Sequence, residues 1–245
     1  IGVNKVYDGS TAASVGGSST DILAGDAVAI TGSGVFTGDG ARNAGNGKPV
    51  QVLTGNLSGT DARDYALINP TGSATASISR RPLTVAYSGG SRVYDGTVDA
   101  PVSANAANLV AGDAVSIGQT AVFAGSNARN VGVDKAVAVG DIHLSGGDAT
   151  NYALQNTTAT TSGSITPRPV VIEGLSLAAV DRVYNGSTTV DVAVQASSGA
   201  GVRSGDLIAG DSVSVSIPAA GSTTGSMADK SAGLAKPVTG ISGLS

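Results

Sequence analysis

The 245-residue chain has no cysteine and no tryptophan, two phenylalanines, one histidine and, among 18 acidic residues, a single glutamate, Glu173. Without cysteine there is no disulfide framework and no thiolate metal site, which suits a chain exported across membranes unfolded. With His143 alone, no histidine pair or cluster can form. It sits in the alternating stretch "DIHLSGGD", where a surface strand histidine is expected and not a general base, and its counterpart in an earlier copy of the pattern is Asn56. Aspartate suits turns and caps, whereas glutamate suits helix interiors, so a chain with one Glu predicts many turns and few helices. No apolar run approaches the ~18 residues of a membrane helix. No signal peptide opens the chain, which starts in mid-pattern at "IGVNKVYDG", as expected of a fragment of something longer. Only 14 basic residues and a net charge of −4 disfavour nucleic acid as a partner.

What is present is 41% hydrophobic residues, mostly Val, Ala, Leu and Ile, together with 36 glycines. That is too apolar for a disordered chain and too turn-rich for a helical one. It predicts an all-β protein with a core built from small pieces.

Internal repetition is the strongest signal. "KVYDGST" at 5–11 returns as "RVYDGTV" at 92–98 and "RVYNGST" at 182–188. From Tyr7 to Tyr94 the offset is 87, and it holds without a gap. "AGDAVAI" at 24–30 matches "AGDAVSI" at 111–117, "ARNAGNGKPV" at 41–50 matches "ARNVGVDKAV" at 128–137, and "LSGTDARDYAL" at 57–67 matches "LSGGDATNYAL" at 144–154. "SISRRPLTV" at 77–85 likewise matches "SITPRPVVI" at 164–172. The third copy is looser. "AGDSVSV" at 209–215 follows its Tyr later than in the other copies, and "AKPVTGISGLS" at 235–245 corresponds to "GKPVQVLTGNLS" at 47–58. The expected domains are therefore 1–79, lacking a leading strand; 80–166, complete; and 167–245, lacking closing strands.

Period-two alternation marks half-buried strands at Leu83, Val85 and Tyr87, at Val115 and Ile117, at Val137 and Val139, at Val190, Val192 and Val194, and at Val213, Val215 and Ile217. About seven strands per unit, bounded by turn residues, predict tandem Ig-like β-sandwich repeats. One short helix per repeat is expected in "ANAANLVAGD" at 104–113 and in "SSTDILAGD" at 18–26, the latter capped by Ser19 or Thr20. Pro82 and Pro169 mark short, stiff joints, and stiff joints between repeats predict an elongated rod.

Asp8-Gly9, Asp95-Gly96 and Asn185-Gly186 read as two-residue hairpin turns with positive φ at both positions. A carboxylate doing chemistry would not become an amide, but a turn residue can. The preceding Tyr is expected to be half-buried, with its hydroxyl at the surface.

Other recurring groups read as structural. Asp26, Asp113 and Asp211, and Asp61 and Asp148, lack the ligand density of a Ca²⁺ loop and are expected to form turns or caps. Lys48, Lys135 and Lys236 precede a strand, with Asn43 and Asn130 nearby and Ser231 in the third copy. A Lys–Asn crosslink there would need a buried amine. No "GxSxG" elbow or phosphate loop appears. No catalytic, cofactor-binding or metal residue is assigned, and an enzyme is not expected.

Together, the "VYDG" motif, the "AGD" strand, "GKPV" and the "LSGxDAxNYxL…I(S/T)xRP" tail resemble the YDG domain, which recurs in large secreted bacterial surface proteins similar to filamentous haemagglutinin. The resemblance covers essentially the whole chain. It implies stalk or passenger repeats of an adhesin on the outer cell surface, supporting adhesion or biofilm formation. The partners implied are neighbouring repeats and host-cell, matrix or biofilm polysaccharide ligands. The alternative is a carbohydrate- or Ca²⁺-binding module.

Overall fold

In the computed structural model, which describes residues 1–219 and 221–242, the chain is all-β, with seventeen strands and two three-residue 3₁₀ helices. Residues 220 and 243–245 of the third expected repeat lie outside the described residues.

The first repeat supplies β1 (Lys5–Val6), β2 (Ala12–Gly17), β3 (Ala29–Phe36), β4 (Gly45–Ser58) and β5 (Gly72–Ser79), in one sheet of order β1-β5-β4-β3-β2. The second supplies β6 (Arg81–Leu83), β7 (Ala86–Gly89), β8 (Ser91–Val93), β9 (Val102–Asn105), β10 (Ser116–Phe123), β11 (Gly132–Ser145), β12 (Tyr152–Leu154) and β13 (Ala159–Thr166). Its main sheet has the order β10-β11-β13-β8, β7 pairs with β9, and β12 pairs in parallel with β6. The strand bounds of β3, β4 and β5 reappear in β10, β11 and β13 at the offset of 87. The third repeat supplies β14 (Ile172–Ala179), β15 (Thr189–Val202), β16 (Thr224–Met227) and β17 (Val238–Ser242), in the order β14-β15-β16-β17.

The compact units are two, and they do not follow the three repeats. One comprises 1–92 and 97–166; the other comprises 93–96 and 167–245. The reason for the first grouping lies in its core. Tyr7, Val15, Phe36, Val50 and Ile78 of the first repeat pack in one cluster with Leu83 and Tyr152 of the second. The rings of Tyr7 and Tyr152 meet edge-on, with centroids 5.6 Å apart, a favoured aromatic geometry. Val85, Phe123, Val137, Val139 and Ile165 are buried elsewhere in this unit, so alternation correctly located the inward face of β11.

Two expectations are corrected. The segments 18–26 and 106–113 form turns, and 104–105 end β9, so neither expected helix is present. Their donors go to specific partners: the Asp21 amide to Ser19 Oγ, and the Val110 amide to the Tyr152 hydroxyl. The only helical turns among the described residues are Ala62–Asp64 and Ala149–Asn151, each following the aspartate of the "DA" loop. The stretch Val213–Ile217 alternates yet forms no strand, and Val213 and Ile217 are exposed. Alternation supplies a face, but a strand also needs a ladder partner.

A left-handed residue recurs in all three repeats. Gly47 (φ 58°), Asp134 (φ 49°) and Ala235 (φ 50°) occupy equivalent positions just before Lys48, Lys135 and Lys236. In the first two repeats this residue lies at a break in register between the long strand and its neighbour, β4 with β5 and β11 with β13, where one strand carries extra residues. The lysine curls back across the bulge, Lys48 Nζ donating to Gly40 O at 2.9 Å and Lys135 Nζ to Asn127 O at 2.7 Å. Lys236 does the same to Ser231 O at 2.8 Å. The recurring lysine thus braces a loop.

Candidate functional site: the tyrosine–aspartate junction

The "YDG" loop is built around its basic residue. Lys5 Nζ donates to Ser10 O at 2.9 Å and pairs with Asp8 at 2.8 Å. Arg92 closes the second loop through Thr97 O at 2.7 Å, and Arg182 closes the third through Ser187 O. In the first two repeats the same cation lies over a buried ring, Lys5 over Phe36 and Arg92 over Phe123, each at 5.5 Å.

The turn differs from the two-residue hairpin expected. Gly9, Gly96 and Gly186 have φ of 78°, 80° and 77°, but Asp8, Asp95 and Asn185 are not in the positive-φ region. The strands around the loop do not form a hairpin either: β1 pairs with β5, and β2 with β3. Asp8 instead accepts the Ser10 amide at 2.9 Å, and Asn185 accepts the Ser187 amide at 3.0 Å. This is an Asx-turn, in which a side-chain oxygen captures the amide two residues on. Asn offers the same oxygen as Asp, which explains why they interchange. Burial opposes the charge on Asp8, but its bonds from Lys5 and Ser10 outweigh this and hold the carboxyl below its usual range.

In the first repeat the tyrosine is also corrected: Tyr7 is fully buried, and its hydroxyl does not reach solvent, whereas Tyr94 is half-buried as expected. It donates to Asp113 Oδ1 at 3.0 Å, from 106 residues away. Tyr152 donates to the other oxygen of the same carboxylate at 2.6 Å. The Asp113 side chain is only 1% exposed, with Arg42 at 3.6 Å. Arg42 also pairs with Asp148 at 2.6 Å, and Asp148 accepts the Ala114 amide at 2.9 Å. The Ala44 amide donates to buried Asn151 at 2.9 Å. Burial first, then the bond to Asp113, pushes the Tyr7 hydroxyl up to about 12; Tyr152 is raised for the same reasons.

Gly9 is seated in this site. A Cβ there would lie 2.8 Å from Val110, so the glycine is required both by close approach and by its φ. The arrangement recurs in the second unit. The Tyr94 hydroxyl donates to Asp211 at 3.0 Å, and a Cβ on Gly96 would lie 2.6 Å from Ile208. Val110 and Ile208 each stand three residues before the aspartate and accept its amide. A "YDG" loop is thus a plug, and an "AGD" turn with its apolar residue is a socket.

Asp113 and Asp211 are therefore acceptors for tyrosine, a role their sequence context as turn residues did not reveal. Asp61 and Asp148 do occupy N-cap positions, but neither makes a side-chain cap; they bind the Ala27 and Ala114 amides instead. His143 is exposed on β11, with Nδ1 2.7 Å from the Asp141 carbonyl. Among the described residues no group of three or more His, Cys, Asp or Glu is placed to hold a metal, and no helix is long and apolar enough to cross a membrane.

This twice-built junction of plug and socket defines a tandem β-repeat protein. The YDG domain matches residues 2–76, 79–161 and 166–245, and the chain belongs to that family. No curated protein and no solved structure matches it.

Proposed function

We propose that the chain is a set of structural stalk or passenger repeats of a large secreted bacterial adhesin, displayed at the outer cell surface and supporting adhesion or biofilm formation. The observation that carries this reading is the junction itself. Three residues that recur from copy to copy, the Tyr and Gly of the motif and the "AGD" aspartate, join one repeat to the next. Their chemistry is that of a mechanical coupling: apolar contact, a shared carboxylate and a braced loop. Membership of the YDG family and the cysteine-free composition agree with it.

On this reading the repeats are sandwich-like modules strung into a rod. Small-angle X-ray scattering on the full chain tests it. A maximum dimension well above that of a compact 245-residue globule, whose radius of gyration is about 18 Å, is expected. A compact profile would refute the rod.

A further inference from the structure

The third loop carries Asn185 where the other copies carry Asp8 and Asp95, and Gly186 follows it. An Asn-Gly pair is open to attack by its own backbone. The nitrogen after the asparagine closes a five-membered ring on the side-chain carbonyl, and glycine puts no Cβ in the way. What this loop adds is electrostatic. The Asn185 side-chain oxygen accepts two hydrogen bonds, one from Arg182 Nη1 and one from the Ser187 amide at 3.0 Å. Negative charge develops on that oxygen when its carbon is attacked, and a guanidinium with a backbone N–H is a donor pair that stabilises such an oxyanion. Among the described residues the attacking Gly186 amide donates to no acceptor.

The other Asn-Gly pair, Asn46-Gly47, is built the opposite way. The Gly47 amide donates to Ser77 Oγ at 3.1 Å, at the bulge between β4 and β5. Among the described residues no donor reaches the Asn46 side-chain oxygen. The setting of Asn185, by contrast, does not depend on what packs against its loop. In the first repeat, where Gly9 is seated on Val110, the equivalent Asp8 side chain is still 47% exposed and holds the same two kinds of donor, Lys5 and the Ser10 amide.

We propose that Asn185 is a site of self-catalysed deamidation, which turns the third loop into a true "YDG" loop. The Gly186 nitrogen gives its proton to hydroxide and bonds to Asn185 Cγ. The Cγ–Nδ2 bond breaks, ammonia leaves, and a succinimide remains. Water then opens the ring. Opening at Cγ gives aspartate, whereas opening at the main-chain carbonyl gives isoaspartate. The Arg182 and Ser187 donors lie on the Cγ oxygen, so they direct water there and aspartate is the main product. The new carboxylate pairs with Arg182 as Asp8 pairs with Lys5. The inference goes beyond the stalk reading, because it holds whether or not the chain serves adhesion.

Peptide mapping by mass spectrometry tests it, on the full chain incubated in mildly alkaline buffer, with isoaspartate quantified separately. In the folded chain Asn185 should convert about tenfold faster than Asn46, the effect of one hydrogen bond to a developing charge. In urea the two sites should converge, and the isoaspartate share at 185 should rise. Arg182→Met should slow conversion of Asn185 about tenfold, and Arg182→Lys, which keeps a cation as Lys5 does in the first loop, should restore it. Asn46 converting as fast as Asn185 in the folded chain would overturn the proposal. So would faster conversion of Asn185 in urea than in the folded chain, or an Arg182→Met chain that converts at the parent's rate or above it.

Discussion

Two stretches with the same ancestral pattern fold to different depths. In the first two repeats, Phe36 and Phe123 are buried beneath the basic residue of the "YDG" loop. In the third, Met227 takes the equivalent place: its amide donates to Thr188 O as those of Phe36 and Phe123 donate to Thr11 O and Val98 O, and its side chain is only half-buried. Among the described residues, Val190 and Val192 are the buried apolar side chains of 167–245, and the buried Thr223 hydroxyl has no partner. The lesson is that the loop and the core are separable. Arg182 closes its loop on Asn185 and Ser187 without a ring beneath it. The "YDG" motif therefore encodes a loop shape, and the phenylalanine decides how firmly that loop is anchored.

This contrast can be broken most strongly at the ring. Phe123→Ala should destabilise the unit containing 97–166 by about 3–5 kcal/mol, through lost burial and the cavity left behind. Met227→Ala should have a smaller effect in the third repeat, because the side chain removed is only half-buried. Urea denaturation of the full chain measures both; equal losses would erase the distinction between the repeats.

The junction comes next. Asp113→Ala leaves two hydroxyls, those of Tyr7 and Tyr152, without their shared acceptor, and should lose about 2–4 kcal/mol. Asp26→Ala, at the exposed socket, should lose less than about 1 kcal/mol, because water replaces the carboxylate. The same comparison holds for the glycines. Gly9→Ala meets Val110 as well as an unfavourable φ, whereas Gly186→Ala meets only the φ. Gly186→Ala should therefore cost about 1 kcal/mol, and Gly9→Ala distinctly more.

Alkali should open the same junction. The Tyr7 hydroxyl has a folded value of about 12, above its ordinary 10.0. A raised value stabilises the fold fully below the unfolded value, and that contribution fades as pH climbs from about 10 through about 12. Tyr7→Phe should flatten this part of the stability profile, measured by circular dichroism at fixed urea. An unchanged alkaline slope would show that the hydroxyl does not couple to folding.

The smallest effect lies at the bulge. Ala235 holds a left-handed conformation that Gly47 holds without penalty. Ala235→Gly should stabilise the third repeat by about 0.5–1 kcal/mol, and Gly47→Ala should destabilise the first by a similar amount. Thermal melts suffice to read the opposite signs.

The frame of the fold was legible in the sequence because it is local. The offset of 87 placed β10, β11 and β13 from β3, β4 and β5, and alternation identified Val137 and Val139 as inward-facing. The turn was harder, since Asp-Gly is compatible both with a hairpin and with the Asx-turn that Asp8 makes. The 104–113 segment has helical composition, but Tyr152 captures its Val110 amide. The junction itself was out of reach. Within a repeat, Tyr94 and Asp113 stand 19 residues apart and invite being read together. In the structure Asp113 accepts from a tyrosine of the preceding copy, and the Tyr94 hydroxyl donates to an aspartate of the following one. A repeat read one copy at a time hides a bond that crosses to the next, as those of Tyr7 and Tyr94 do.

That crossing bond is the centre of the account, and a double-mutant cycle between Tyr7→Phe and Asp113→Ala tests it most directly. Stabilities of the full chain, the two single variants and the pair, all by urea denaturation, give the coupling between residues 106 apart. A favourable coupling of about 1 kcal/mol or more is predicted for a buried hydroxyl on a carboxylate. Strict additivity of the two losses would contradict the junction.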